Sequence, residues 1–161
     1  MPDATPFESL SRHAAVRRSR KADLLSVSRS IELSFMGEGA ATVYVCLQHV
    51  DFLTATTVRT YDRMARFGTR VHVYGVGVRS RTDLRDLFTL HDVSPRSPLA
   101  YEWNVLILGS RVTTALAARE EAPLPGTRGG DADRRFAFLT TTDPHDVRFA
   151  AAALSADAFV A

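Results

Sequence analysis

The chain has 161 residues, enough for one domain that buries most of its unfolded surface. Apolar residues make up 45% and charged residues 24%, an ordinary globular mixture that excludes a disordered or fibrous chain. A net charge of +2 weighs against nucleic acid as a default partner, and a single cysteine excludes an intrachain disulfide.

The opening run Met1-Pro2-Asp3-Ala4-Thr5-Pro6 lacks the basic-then-apolar order of a signal peptide. No apolar run approaches the ~20 residues of a membrane helix, so a soluble, cytoplasmic chain without a membrane partner is expected. Residues 1–20 read as an N-terminal basic arm and residues 21–161 as the domain. Arg12, His13, Arg17, Arg18, Arg20 and Lys21 fall in a stretch with no acid between Ser9 and Ala22. Such a run either meets an acidic partner or is a solvated helix face or a frayed terminus, and the second reading is preferred.

The spacing of Leu24, Val27, Ile31 and Phe35 predicts a helix over 22–36, with Arg29 pointing away and Gly37 and Gly39 ending it. The β-branched run 41–48 predicts a buried strand with Cys46 as a small core residue. A helix is expected over 54–67, with Val58, Tyr61 and Ala65 inside, an Asp62–Arg66 pair one turn apart, and Gly68 at its end. A strand over 70–78 follows, and strand–helix–strand with short links is the pattern of a parallel βαβ unit. One or two helical turns over 82–87, an edge-like strand over 88–93 and an extended stretch at Pro95 and Pro98 come next. Residues 103–108 and 112–120 predict a hairpin about Gly109-Ser110. Residues 121–133, with Pro123, Pro125, Gly126, Gly129 and Gly130, predict a surface loop cleavable near Arg128. A strand over 135–141 leads to a last helix with Asp143 as N-cap, Pro144 at N1, and Val147, Ala150 and Leu154 facing the sheet. The expected fold is α/β: a single domain whose mixed β-sheet has a parallel βαβ unit and an antiparallel hairpin, flanked by about four helices.

No catalytic constellation emerges. The five histidines are scattered, Cys46 and His49 alone make no metal site, and His72 reads as a sheet residue rather than a ligand. Gly75-Val76-Gly77 follows a strand, but Ser80 stands where a dinucleotide fingerprint needs a third glycine, so relief of crowding at a strand end is the simpler reading. Glu102-Trp103 is more informative. Trp103 is expected to anchor the core, and its neighbour Glu102 must face the other way. If that face is buried, Glu102 needs a cation, and Arg29, Arg119, Arg134 and Arg135 are the candidates. The six residues Arg29, Glu102, Trp103, Arg119, Arg134 and Arg135 form the candidate ligand- or partner-binding set. A structural ion pair is preferred to a ligand pocket on the Glu102 face.

The blocks 21-KADLLSVSRSIE-32, Tyr61-Asp62-Arg63-Met64-Ala65, 98-PLAYEWNVLILG-109, Ala118-Arg119 and 134-RRFAFLTTTDP-144 resemble the DICT domain. This sensory module is named for its occurrence with diguanylate cyclases and two-component systems. The resemblance runs from about Lys21 to Leu154. It implies an α/β domain acting in signal reception, light among the proposed signals, without a ligand or catalytic residue to carry across. Many relatives are fused to an output domain, and nothing outside residues 21–154 is large enough to be one. The expected function is therefore a stand-alone sensory or regulatory domain, not an enzyme, that signals through a separate protein or through self-association. The alternatives are a non-sensing adaptor subunit of a larger assembly and a nucleic-acid-associated regulator using the basic arm. A cavity bordered by Trp103 and polar groups favours sensing, and a contiguous apolar patch without one favours the adaptor.

Overall fold

The computed structural model describes residues 4–35, 40–122 and 129–155. Seven strands, β1 (Arg17–Arg20), β2 (Ala41–His49), β3 (Arg70–Val76), β4 (Thr89–Asp92), β5 (Glu102–Gly109), β6 (Thr113–Glu120) and β7 (Arg135–Thr141), form one sheet ordered β1-β7-β6-β5-β2-β3-β4. Strands β2, β3 and β4 run parallel, and every other pairing is antiparallel. The helices among the described residues are α1 (Pro6–Leu10), α2 (Lys21–Phe35), α3 (Ala55–Arg66) and α4 (Pro144–Ser155). The mixed sheet, the parallel βαβ unit and the hairpin are as the sequence predicts.

Both faces of the sheet are covered, which explains why β2 and β5 read as nearly continuous apolar runs. Val43, Val45, Val105 and Ile107 pack beneath Phe35 of α2 and Tyr61 and Met64 of α3. Cys46, Leu106, Ala117 and Leu139 pack on the other side against Leu10 of α1 and Val147, Ala150 and Leu154 of α4. Each such large side chain contributes roughly 1.5–3 kcal/mol through burial. The Asp143 side chain accepts from the backbone N–H groups of His145 and Asp146 at 2.9 and 3.3 Å, the expected start of α4.

Three expectations change. The stretch before Lys21 is, where described, part of the fold. Thr5 and Glu8 form a reciprocal capping box around α1, Leu10 is buried, and β1 is the edge strand beside β7. Its cations stay exposed on that edge, where Arg18 pairs with Glu121 at 2.6 Å and Arg20 with Asp23 at 3.4 Å. The hairpin turns one residue later than predicted. Gly109 N–H donates to Val112 O at 2.9 Å, so the two-residue turn is Ser110-Arg111, and Gly109 is itself paired with Ala41. The third change is in α2, whose buried side carries Ser28 and Glu32 beside Leu24 and Phe35.

Strand β3 ends at Val76 because Gly77 adopts φ +76 and starts a 3-10 turn over Val78–Ser80. A Cβ on Gly75 would lie 2.9 Å from the buried Val78 Cγ1. Crowding at the strand end accounts for that glycine, and left-handed backbone for the next. The expected helix stop at Gly37 and Gly39 lies outside the described residues, as do Pro123, Pro125, Gly126 and Arg128 of the expected loop.

Candidate functional site

A cavity of about 420 Å³ opens between α2 and α3, above the end of β2 and the start of β5. Its inner wall is built from one helix face. Ser28 and Glu32 are four residues apart on α2, so their side chains meet one above the other. Ser28 Oγ donates to Glu32 Oε1 at 2.9 Å, and Tyr61 Oη of α3 donates to the same oxygen at 2.8 Å. Glu32 is only 9% exposed. Its other oxygen, Oε2, takes no hydrogen bond among the described residues, yet it is not sealed from solvent. It is an acceptor left to the cavity. Burial pushes the Glu32 carboxyl above its ordinary range against the pull of the two hydroxyls. Burial, then the Glu32 charge, raises the Tyr61 phenol well above its usual value, so it stays a donor.

Apolar surface comes from Leu25, Leu47, Phe52 and Trp103. Trp103 is half-buried, with its ring edge-on to Phe136 at 6.0 Å between centroids. The indole N–H donates to no group among the described residues. On the opposite wall Thr54 caps α3, its side chain accepting from Thr57 N–H at 3.3 Å, and Thr56, Thr57 and Thr60 add hydroxyls.

One end of the cavity is held by a polar lattice. Lys21 Nζ sits 2.6 Å from Asp131 Oδ2 and 4.0 Å above the Phe52 ring. Arg134 bonds both oxygens of Glu120 and, at 2.9 Å, Gln48 Oε1. Gln48 returns a bond to Glu120 at 3.1 Å. These contacts hold Gln48 at φ +71, a left-handed conformation uncommon for a non-glycine residue, beside a register shift in β2. The Arg134 bond draws the Glu120 carboxyl below its usual range, and Lys21 does the same for Asp131. Arg29 completes the lining. It is exposed and, among the described residues, has no carboxylate within ion-pair distance.

The six residues singled out in the sequence thus separate. Arg29 and Trp103 line the cavity, and Arg134 stands behind its end wall. Arg135 is exposed at the start of β7, opposite Arg20 of β1. Glu102 and Arg119 lie on the other face of the sheet. They are cross-strand partners, with Arg119 Nη2 2.9 Å from Glu102 Oε2. Glu102 also accepts from Phe7 N–H at 3.0 Å and Asn104 Nδ2 at 3.1 Å, while Arg119 reaches Glu8 at 3.0 Å. This cluster ties α1 to the sheet, the structural ion pair preferred for Glu102. Ser28, Glu32 and Tyr61 were not singled out. The sequence places Tyr61 on the inner face of its helix and sets Ser28 and Glu32 four apart on the stripe of Leu24 and Phe35, but nothing in it brings the three together.

Cys46 is fully buried, and burial pushes its thiol far above the ordinary range. His72 and His91 share a 3.1 Å contact within a ring stack with Tyr44 and Tyr74, on the side of the sheet away from the cavity. Among the described residues no three His, Cys, Asp or Glu side chains converge as a metal site, and no helix is long and apolar enough to cross a membrane.

Comparison with known proteins gives one family and one fold. A family model described as "Sensory domain in DIguanylate Cyclases and Two-component system" matches residues 7–121. That match begins within α1 and takes in Glu32, Tyr61 and Trp103. No curated protein sequence matches. Among solved structures, a polyphosphate kinase from Porphyromonas gingivalis is similar, with a TM-score of 0.56 at 15% identity. The match covers 93% of this chain and 27% of that one, and it indicates a shared fold.

Proposed function

The chain belongs to the DICT family of sensory domains, and from that premise we propose that it is a ligand-binding sensor without catalysis of its own. In this reading it works in the cytoplasm and hands its state to a separate signalling protein or to a second copy of itself. The observation that supports it is the cavity between α2 and α3. Glu32 Oε2, the Trp103 N–H and the Arg29 guanidinium border this cavity with no hydrogen-bond partner among the described residues, and each is open to solvent rather than sealed, so a ligand can engage them in place of water. A volume of about 420 Å³ also falls within the range of small-molecule pockets.

The route to an output follows from the same contacts. Glu32 belongs to α2 and Tyr61 to α3, so a ligand bound at Glu32 bears on both helices at once. A ligand that prefers one spacing of the two helices shifts the population toward it. A cavity bordered by Trp103 and polar groups also favours sensing over the adaptor reading.

A thermal-shift screen of a metabolite library tests this on the wild type and Leu25→Trp, which fills the cavity from its α2 wall. Compounds that raise the wild-type Tm and not that of Leu25→Trp are expected. A library with no compound that distinguishes the two proteins would sink the proposal.

A further inference from the structure

The unsatisfied groups around the cavity have a fixed order, and from it we infer the chemical class of its ligand: a planar heteroaromatic with an N–H edge and an acidic group. This inference rests on the cavity being the ligand site. The inner group is an acceptor. Glu32 Oε1 already holds two hydroxyl protons, at 2.9 Å from Ser28 and 2.8 Å from Tyr61, so only Oε2 is left to a ligand. As a carboxylate it is satisfied by an N–H or O–H donor and not by a carbonyl. The body of the site is lined by Leu25, Leu47, Phe52 and Trp103; Lys21 already sits 4.0 Å over the Phe52 ring, so Trp103 is the aromatic surface left for a ligand ring.

The group at the mouth is a cation. Lys21 is engaged by Asp131 at 2.6 Å and Arg134 by Glu120, which leaves Arg29 as the lining cation with no carboxylate partner among the described residues. Arg29 sits one turn before Glu32 on α2, so the anion site and the donor site are neighbours on one helix face. A guanidinium takes carboxylate or phosphate equally well by its paired donors. A ligand with an N–H edge inward and an acid outward satisfies both ends, and a flat ring system between them can lie against Trp103.

Calorimetry with defined probes tests the class. The probes are guanosine 5′-monophosphate and pterin-6-carboxylate, their neutral counterparts guanosine and pterin, benzoate as an anion without an N–H edge, and inorganic phosphate. At least one of the two acids is expected to bind the wild type with a Kd below about 1 mM, and benzoate and phosphate are expected not to bind. Arg29→Gln should weaken that acid about fivefold or more and leave its neutral counterpart unchanged. Glu32→Gln should weaken acid and neutral forms alike, by about tenfold. Arg29 is exposed and has no ion-pair partner among the described residues, so its variant reports even if Glu32→Gln fails to fold. Benzoate binding as tightly as the acids, or an acid indifferent to Arg29→Gln, overturns the assignment. If neither acid binds but library compounds distinguish the wild type from Leu25→Trp, the class is wrong and the cavity remains the ligand site. If no compound distinguishes those two proteins, both inferences fall.

Discussion

Glu102 and Trp103 are consecutive in the chain and belong to opposite layers of the protein. Glu102 lies fully buried against Arg119 at 2.9 Å beneath α1, while Trp103 lies edge-on to Phe136 in the α2 layer and borders the cavity. Strand alternation alone accounts for this. It means the two residues can be altered to read stability and binding separately. Glu102→Gln removes the charge that answers Arg119 and weakens the anchor of Phe7 N–H. It is expected to cost roughly 2–4 kcal/mol in urea denaturation while leaving ligand affinity unchanged. Trp103→Phe, at a half-buried site, is expected to cost about 1 kcal/mol and to weaken binding. Binding lost in folded Glu102→Gln would return the site to the α1 face.

The pH dependence of stability separates two carboxylates with opposite shifts. Glu32 is raised in the folded chain by burial, so the native state holds its proton more readily than the unfolded state. Its contribution is present below the unfolded pKa of ~4.3 and is lost as pH rises through the native value. Glu120 is lowered, chiefly by the bond from Arg134. Its contribution is present above the unfolded value and is lost as pH falls through the native one. Relative to Glu32→Gln, the wild type should therefore lose stability as pH rises above ~4.3. Relative to Glu120→Gln, it should lose stability as pH falls below that value. Denaturation midpoints of the three proteins between pH 3 and 8 check both signs.

Cys46 is placed as an inert core residue. It is 1% exposed, and its thiol is held protonated by burial. A thiolate-selective disulfide reagent should leave the folded protein unmodified over hours and titrate one thiol after denaturation. Prompt reaction of the native protein would show that β2 opens.

The two glycines at the end of β3, Gly75 within it and Gly77 just past it, differ in mechanism. Gly75→Ala places a methyl 2.9 Å from the buried Val78 side chain and is expected to cost about 1–3 kcal/mol by overpacking. Gly77→Ala makes only ordinary contact with Val50, at 3.5 Å, but must hold φ +76, at a cost of about 1 kcal/mol. In a Val78→Ala background Gly75→Ala should cost less than in the wild type, while Gly77→Ala should cost the same in both. Equal rescue of both would reject the distinction.

Most strands and helices were legible because a sheet covered on both faces writes long apolar runs, and because Asp143-Pro144 and the glycines punctuate them. Arg119 was one of four candidate partners for Glu102, and it is the turn at Ser110-Arg111 that sets it directly opposite; a turn at Gly109-Ser110 would have put Ala117 there. The exact turn escaped, since Gly109 and Ser110 suit a turn as well as Ser110 and Arg111 do. The start of the fold was legible in principle: Thr5-Pro6-Phe7-Glu8 is a capping-box sequence, masked by the arginines that follow. The cavity was not. Glu32 and Tyr61 are 29 residues apart and meet only through the crossing of two helices, and the left-handed Gln48 depends on Arg134, 86 residues away. Long-range polar contacts of this kind leave no periodic mark.

The central claim, that the cavity between α2 and α3 holds a small molecule, is tested most directly by native mass spectrometry of the protein purified from its own host. Wild type and Leu25→Trp are purified in parallel under gentle conditions. The account predicts a discrete added mass on the wild type, released on denaturation, and its absence from Leu25→Trp. Bare chains in both preparations, or the same added mass on both, would contradict it.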